Sequence, residues 1–182
     1  MTAKILLAQG FEEIEAITII DLLRRAGIGI ITVSVTGMNE VKGGHDIAVV
    51  CDNLLEKENF ENTEMLILPG GGVGVNNLSA DERVIELVRK FKNSNKTIAA
   101  ICAAPFVLEK AGILNNKNIT CFPTWKEKIK SAKYVDKSVV VDDKIITGNG
   151  VGGAIDFSLK IVELFKSRED RENLAESILY KG

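Results

Sequence analysis

The chain has 182 residues, with 23 lysines and arginines against 25 aspartates and glutamates, a formal charge of −2. That balance argues against a nucleic-acid protein, whose basic footprint shows in the net charge. Hydrophobic residues at 46% and charged residues at 26% exclude a disordered chain, and the length suits one sizeable core, so one domain over residues 1–182 is expected.

Residues 4–8 read as a strand buried on both faces, followed by helical spacing over 13–26 with Gly27 placed to cap it. Residues 28–35 are rich in β-branched side chains and form the next expected strand. Over 41–51, Gly43-Gly44 precedes Ile47-Ala48-Val49-Val50, the mark of an edge strand or hairpin. A short strand over 65–68 ends in Pro69-Gly70-Gly71-Gly72, and 81–92 sets Val84, Leu87, Val88 and Phe91 on one helix face. Residues 97–101 are a buried strand, 103–111 a helix closed by Gly112, and 119–122 a short strand. Thr124 and Glu127 then stand at capping-box spacing. Segments 138–141 and 144–147 flank Asp142-Asp143 as a hairpin, and helices over 154–165 and 170–180 close the chain. The expected fold is a three-layer α/β sandwich with helices on both faces of the sheet and a small edge hairpin.

No apolar run approaches the ~18 residues of a membrane span. Met1-Thr2-Ala3-Lys4 runs straight into Ile5-Leu6-Leu7 without a cleavage site, so a cytoplasmic protein is expected. Cys51, Cys102 and Cys121 show no CxxC spacing, and His45 is the only histidine, so no poly-histidine metal centre can form within one chain.

Cys102 is the first chemical candidate. In Ile101-Cys102-Ala103-Ala104-Pro105 a buried strand turns into a helix, at the strand end where open α/β sheets place ligands. Such an elbow holds a nucleophile out, and small neighbours such as Ala103 and Ala104 allow it. The helix N-terminus should favour the thiolate and lower its pKa from about 8.5 toward ~3.5–7.5. Against this stands the common fate of cysteine as a plain core residue. Glu12 and Glu13 suit a solvated helix start, whereas Glu15, set between Ile14 and Ala16-Ile17, should be half-buried, protonated and able to donate to a thiolate. Gly70-Gly71-Gly72 can aim backbone N–H groups at an anion, although a plain tight turn satisfies the same letters.

Gly148-Asn149-Gly150-Val151-Gly152-Gly153 matches GxGxxG, but no strand with an acid about 20 residues on follows it, so a packing loop near the site is expected rather than a dinucleotide site. Lys126, Lys128, Lys130 and Lys133, with Trp125 and Tyr134, read as a solvated face rather than a nucleic-acid site. No P-loop or GxSxG motif occurs.

In order and spacing, Ala8-Gln9-Gly10-Phe11-Glu12-Glu13-Ile14-Glu15, Leu68-Pro69-Gly70-Gly71 and Ala99-Ala100-Ile101-Cys102-Ala103-Ala104-Pro105 resemble the DJ-1/ThiJ/PfpI superfamily. Asp21-Leu22-Leu23-Arg24-Arg25-Ala26-Gly27 and Ala154-Ile155-Asp156-Phe157 agree, so the likeness covers essentially the whole chain. Phe122-Pro123-Thr124 and the lysine-rich stretch after it resemble the bacterial ThiJ-like members of the DJ-1 branch. The resemblance implies a mostly parallel, flavodoxin-like sheet, Cys102 as the reactive nucleophile and Glu15 as its protonated partner. It also implies an oxyanion-type pocket from the N–H groups of Gly71 and Ala103, with no metal or other cofactor. The activity implied is glutathione-independent glyoxalase or deglycase-like chemistry on small reactive carbonyls such as methylglyoxal. The alternative is a redox-responsive chaperone or stress sensor acting through Cys102 oxidation. Ala103 stands where PfpI-type proteases carry a histidine, and Phe122 where DJ-1 carries one, which weighs against a peptidase. Related proteins place the segments of His45 and Cys51 toward a dimer contact.

The apolar stripe over 13–26 is wider than the ~100° needed to cover one sheet face, so a homodimer through this first helix is expected. The competing arrangement tucks the excess under the last helix, around Leu174, Ile178 and Leu179.

Overall fold

Strand β1 (Thr2–Leu7) is buried from its second residue onward. Its alternating side chains explain this: Leu6 points to one face of the sheet, Ile5 and Leu7 to the other, and each face needs cover. The computed structural model, which describes residues 2–181, supplies helices on both sides. After β1 come α1 (Glu13–Arg25), β2 (Gly29–Ser34), β3 (Glu40–Lys42), β4 (Ala48–Val50), β5 (Asn53–Leu54) and β6 (Met65–Leu68). They are followed by α2 (Gly72–Ala80), α3 (Glu82–Asn93), β7 (Thr97–Ile101), α4 (Pro105–Lys110), β8 (Asn118–Ile119) and β9 (Lys133–Tyr134). The hairpin β10 (Val139–Asp142) and β11 (Ile145–Gly148) precedes α5 (Ala154–Phe165) and α6 (Arg168–Ser177).

The main sheet has the order β10-β11-β7-β6-β1-β2-β5, parallel throughout except for β10 against β11. On one face Leu6, Leu66, Leu68, Ile98 and Ala100 meet Val75 and Leu78 of α2, Val84 and Phe91 of α3, and Val107 and Leu108 of α4. On the other, Ile5, Leu7, Met65, Ile67, Ala99 and Ile101 meet Ile19 and Leu23 of α1, Phe157 and Ile161 of α5, and Leu174 of α6. This is the three-layer α/β sandwich expected from the alternation of elements.

Four local expectations change. The β3–β4 hairpin forms its own two-stranded sheet instead of extending the main one. Helix α2 arises from glycine-rich letters with poor helix propensity, because backbone ties such as Gly74 N–H to Gly10 O at 2.9 Å clamp it in place. The strand over 119–122 shrinks to two residues of β8, paired with β9. Thr124 and Glu127 make no capping box: Pro123–Lys128 is a 3₁₀ turn opened by proline, with Thr124 inside it and no side-chain cap.

Candidate active site

The parallel strands β6 and β7 end side by side, and their exits form the site. Cys102 follows β7 with φ +62°, a left-handed conformation that costs a residue with a Cβ roughly 1–2 kcal/mol. Three backbone bonds hold the turn: Cys102 N–H to Gly148 O at 2.9 Å, Phe122 N–H to Cys102 O at 2.8 Å, and Ala104 N–H to Ile101 O at 2.9 Å. Cys102 stays partly exposed while Cys51 and Cys121 are buried.

The exit of β6 wraps this cysteine. A Cβ on Gly70 would stand 2.5 Å from Glu15 Oε2 and 2.6 Å from Cys102 Cβ, so the two side chains close on the glycine from opposite sides of its missing methyl. Gly71, at φ +90°, presses against Gly10 O and Glu12 N and admits no side chain. Its N–H and that of Ala103 both donate toward the Cys102 sulfur. Cys102, Glu15, Gly71 and Ala103 are therefore brought together.

Glu15 is fully buried in the first turn of α1, more deeply than the half-burial expected, and Oε2 accepts the Gly70 N–H at 2.8 Å. Its Oε1 has no partner at ordinary hydrogen-bonding geometry. Carboxyl and thiol lie close enough for each to shift the other's titration. Burial, opposed by the Cys102 and Gly70 hydrogen bonds, pushes Glu15 up to about 7. The expected low thiol pKa is overturned: burial first, then the Glu15 charge, pushes Cys102 above the ordinary thiol range, against the pull of the Ala103 and Gly71 amides. The helix expected to stabilise a thiolate has six residues and starts only at Pro105, so its dipole gives little against desolvation. Near pH 7 the pair passes from two protons to one, and its titration belongs to both groups.

Glu13 also departs from expectation. It is 4% exposed, and the hairpin is what covers it. Oε1 accepts the N–H groups of His45 at 2.6 Å and Ile47 at 3.4 Å, and Oε2 lies 2.8 Å from His45 Nδ1. These bonds outweigh burial and hold Glu13 below the usual carboxylate range, while Glu13 raises His45. Ligand atoms of Glu12, Glu13 and His45 lie within 4.8 Å of one another, but the Glu13 carboxylate is committed to the hairpin. The hairpin in turn fixes the loop beside Gly71, through Gly10 N–H to Lys42 O and Gly44 N–H to Phe11 O, both 2.8 Å. Sequence reasoning gave neither Glu13 nor Gly70 this part, since both depend on contacts between segments distant along the chain. The loop after β11 does lie by the site: a Cβ on Gly150 would stand 3.9 Å from Cys102 Sγ.

The same set of elements recurs in known proteins. Protein dj-1beta of Drosophila melanogaster is 37% identical over 180 residues, covering 98% of this chain and 96% of that protein. Its crystal structure superposes with a TM-score of 0.96 at 36% identity, over 100% of this chain and 98% of that one. Glutathione-independent glyoxalase DJR-1.2 of Caenorhabditis elegans is 34% identical over 165 residues, 90% of this chain and 87% of that protein. Against the longer Protein DJ-1 homolog B of Arabidopsis thaliana, 34% identical over 95% of this chain, the chain spans 40% of the relative's length. The DJ-1/PfpI family pattern matches residues 1–164, and the chain belongs to that family.

Proposed function

We propose that the chain is a glutathione-independent, glyoxalase-type enzyme acting on small 2-oxoaldehydes such as methylglyoxal, with a Cys102–Glu15 dyad and no cofactor. The observation that carries this is the placement of a fully buried Glu15 carboxyl beside a partly exposed Cys102 thiol whose sulfur faces the Gly71 and Ala103 amides. Sγ adds to the aldehyde carbon as the thiol proton passes to Glu15, and the carbonyl electron pair moves to oxygen, where the Gly71 and Ala103 N–H groups receive it. Protonation of that oxygen gives a hemithioacetal. Transfer of the former aldehyde hydrogen to the neighbouring carbonyl carbon, relayed as a proton by Glu15, yields a 2-hydroxyacyl thioester. Water releases lactate and restores the thiol, so the first carbon is oxidised, the second reduced, and no external oxidant is used. Lactate formation by purified protein, lost in Cys102→Ser, tests the reading; no lactate from wild type overturns it.

A second reading, a redox-responsive chaperone or sensor, rests on Cys102 being the one partly exposed thiol among the described residues. Peroxide would oxidise it, and the oxygen gained would meet the same two amides. Peroxide-dependent suppression of client aggregation without turnover would favour that reading. The peptidase reading gains nothing, because the single histidine is paired with Glu13.

A homodimer through α1 belongs to the same proposal. Ile19, Ile20, Leu22 and Leu23 are covered, yet Ile14 is 56% and Ile17 43% exposed, with Ile47 and Val50 of the adjacent hairpin open too. The competing arrangement holds in part: Leu174 and Ile178 pack in the cluster of Leu22 and Leu23, while Leu179 is 86% exposed and leaves Ile14 and Ile17 open. Light scattering checks it: a mass near 19.8 kDa at micromolar concentration, instead of twice that, refutes the dimer. No helix among the described residues is long and apolar enough to cross a membrane, and a cytoplasmic place of action is part of the proposal.

A further inference from the structure

The mouth of the Cys102 site is apolar on the side away from Glu15. Phe122 donates its N–H to Cys102 O at 2.8 Å, so its backbone is pinned to the cysteine itself. Its ring is 43% exposed, which is unusual expense for a large apolar group unless something covers it. The missing side chain of Gly150 locates the ring: a Cβ there would meet Phe122 Cδ2 at 3.2 Å and Cys102 Sγ at 3.9 Å. Ring and sulfur thus border one methyl-sized space, and Gly150, at φ +151°, keeps it open. The following Pro123–Lys128 turn is steadied by Trp125 against Phe106, centroids 5.3 Å apart, and a Cβ on Gly72 would touch Trp125. The nearby cations are engaged elsewhere, Lys128 over the Trp125 ring at 3.8 Å and Lys126 over Tyr134 at 4.8 Å.

We infer that the Phe122 ring is a specificity-determining wall of the Cys102 site, selecting 2-oxoaldehydes with an apolar alkyl or aryl substituent over glyoxal and hydroxylated analogues. The inference rests on the carbonyl chemistry proposed above. An aldehyde carbon bound to Sγ must send its substituent out of the site, and the atoms nearest the space beside the sulfur are carbons of the Phe122 ring. An apolar substituent laid on the ring removes area from both surfaces, whereas a hydroxyl would lose water there without a partner. Phe122 takes no part in proton transfer, so its loss should change the choice among substrates rather than the chemistry.

The test compares kcat/KM for phenylglyoxal and glyoxal in wild type, Phe122→Ala and Phe122→Leu, with melting temperatures confirming that each folds. The phenylglyoxal-to-glyoxal ratio should fall at least about fivefold in Phe122→Ala, mostly through KM, while glyoxal stays within about twofold; Phe122→Leu should fall between. An unchanged ratio, or equal loss on both substrates, overturns the wall. If wild type turns over neither aldehyde, the carbonyl reading fails by itself. The wall is then decided by Cys102 alkylation, where the rate ratio of N-phenylmaleimide to maleimide should drop in Phe122→Ala and, if unchanged, refutes it.

Discussion

The exits of β6 and β7 solve the same geometric problem in opposite ways. Both strands must turn sharply, and both reach positive φ, Gly71 at +90° and Cys102 at +62°. After β6 and Pro69 the turn is completed by glycines, so the backbone takes positive φ without a Cβ and packs against Gly10 and Glu12. After β7 a side chain is kept where glycine would be unstrained, and three backbone bonds hold it there. Of the two exits, the one that keeps the strain is the one that presents a thiol, which is the pattern of a site whose geometry is over-determined by its surroundings.

Inverting the roles of the two turns should therefore have unequal costs. Gly71→Ala, with its Cβ forced against Gly10 O and 2.6 Å from Glu12 N, should destabilise the fold by about 3 kcal/mol or more and move the amide aimed at the thiol. A denaturant midpoint within error of wild type would contradict the contact.

Glu15 comes next. Its folded-state pKa of about 7 exceeds the ordinary 4.5, so the folded protein holds the extra proton and stability is lost as pH rises from 4.5 to 7. Glu15→Gln abolishes that loss, so its stability relative to wild type should climb across this window by up to about 3 kcal/mol, less where relaxation admits water. Thiol reactivity of wild type should rise as pH passes through about 7, where the folded pair gives up its first proton. A flat alkylation profile between pH 6 and 8 would break the coupling.

Cys102→Gly removes the strained Cβ and should stabilise the protein by about 1 kcal/mol while abolishing thiol chemistry; a lower melting temperature would show the turn to be unstrained. The smallest effect belongs to His45→Ala. Glu13 keeps the backbone N–H groups of residue 45 and Ile47, so the melting temperature should change little, while the imidazole titration vanishes and Glu13 titrates higher.

Much of this comparison is written in the letters. Burial on both faces makes β1, β6 and β7 continuous apolar runs, and the position of Cys102 at a strand end is legible because Ala103, Ala104 and Pro105 can only suit a tight turn into a helix. Helix α2 was not legible, since its glycines argue against a helix and only contacts with residues 9–11 impose one. The thiol's proton affinity was misread for a related reason. The letters show a helix after the cysteine but not its shortness or the depth of the sulfur, and desolvation decides the sign. Glu13, which looked like a surface acid, is buried by a hairpin whose docking no local pattern announces.

The contacts that join the hairpin to the β6 exit run through glycines that leave no room for a Cβ. A Cβ on Gly10 would strike Val73 Cβ at 2.6 Å, one on Gly43 would strike the Glu13 side chain, and one on Gly74 would lie 2.8 Å from Phe11 Cα and N. None of these glycines can be traded for a larger residue, because a Cβ at each would overlap a neighbour that is already held in place. In a mutational library sorted for folded protein, these positions should appear as a connected desert, whereas Gly152, with open space around its missing methyl, should accept substitution. The route by which this protein acquires new specificity would then avoid the glycine-built wall and run through the side chains opposite it.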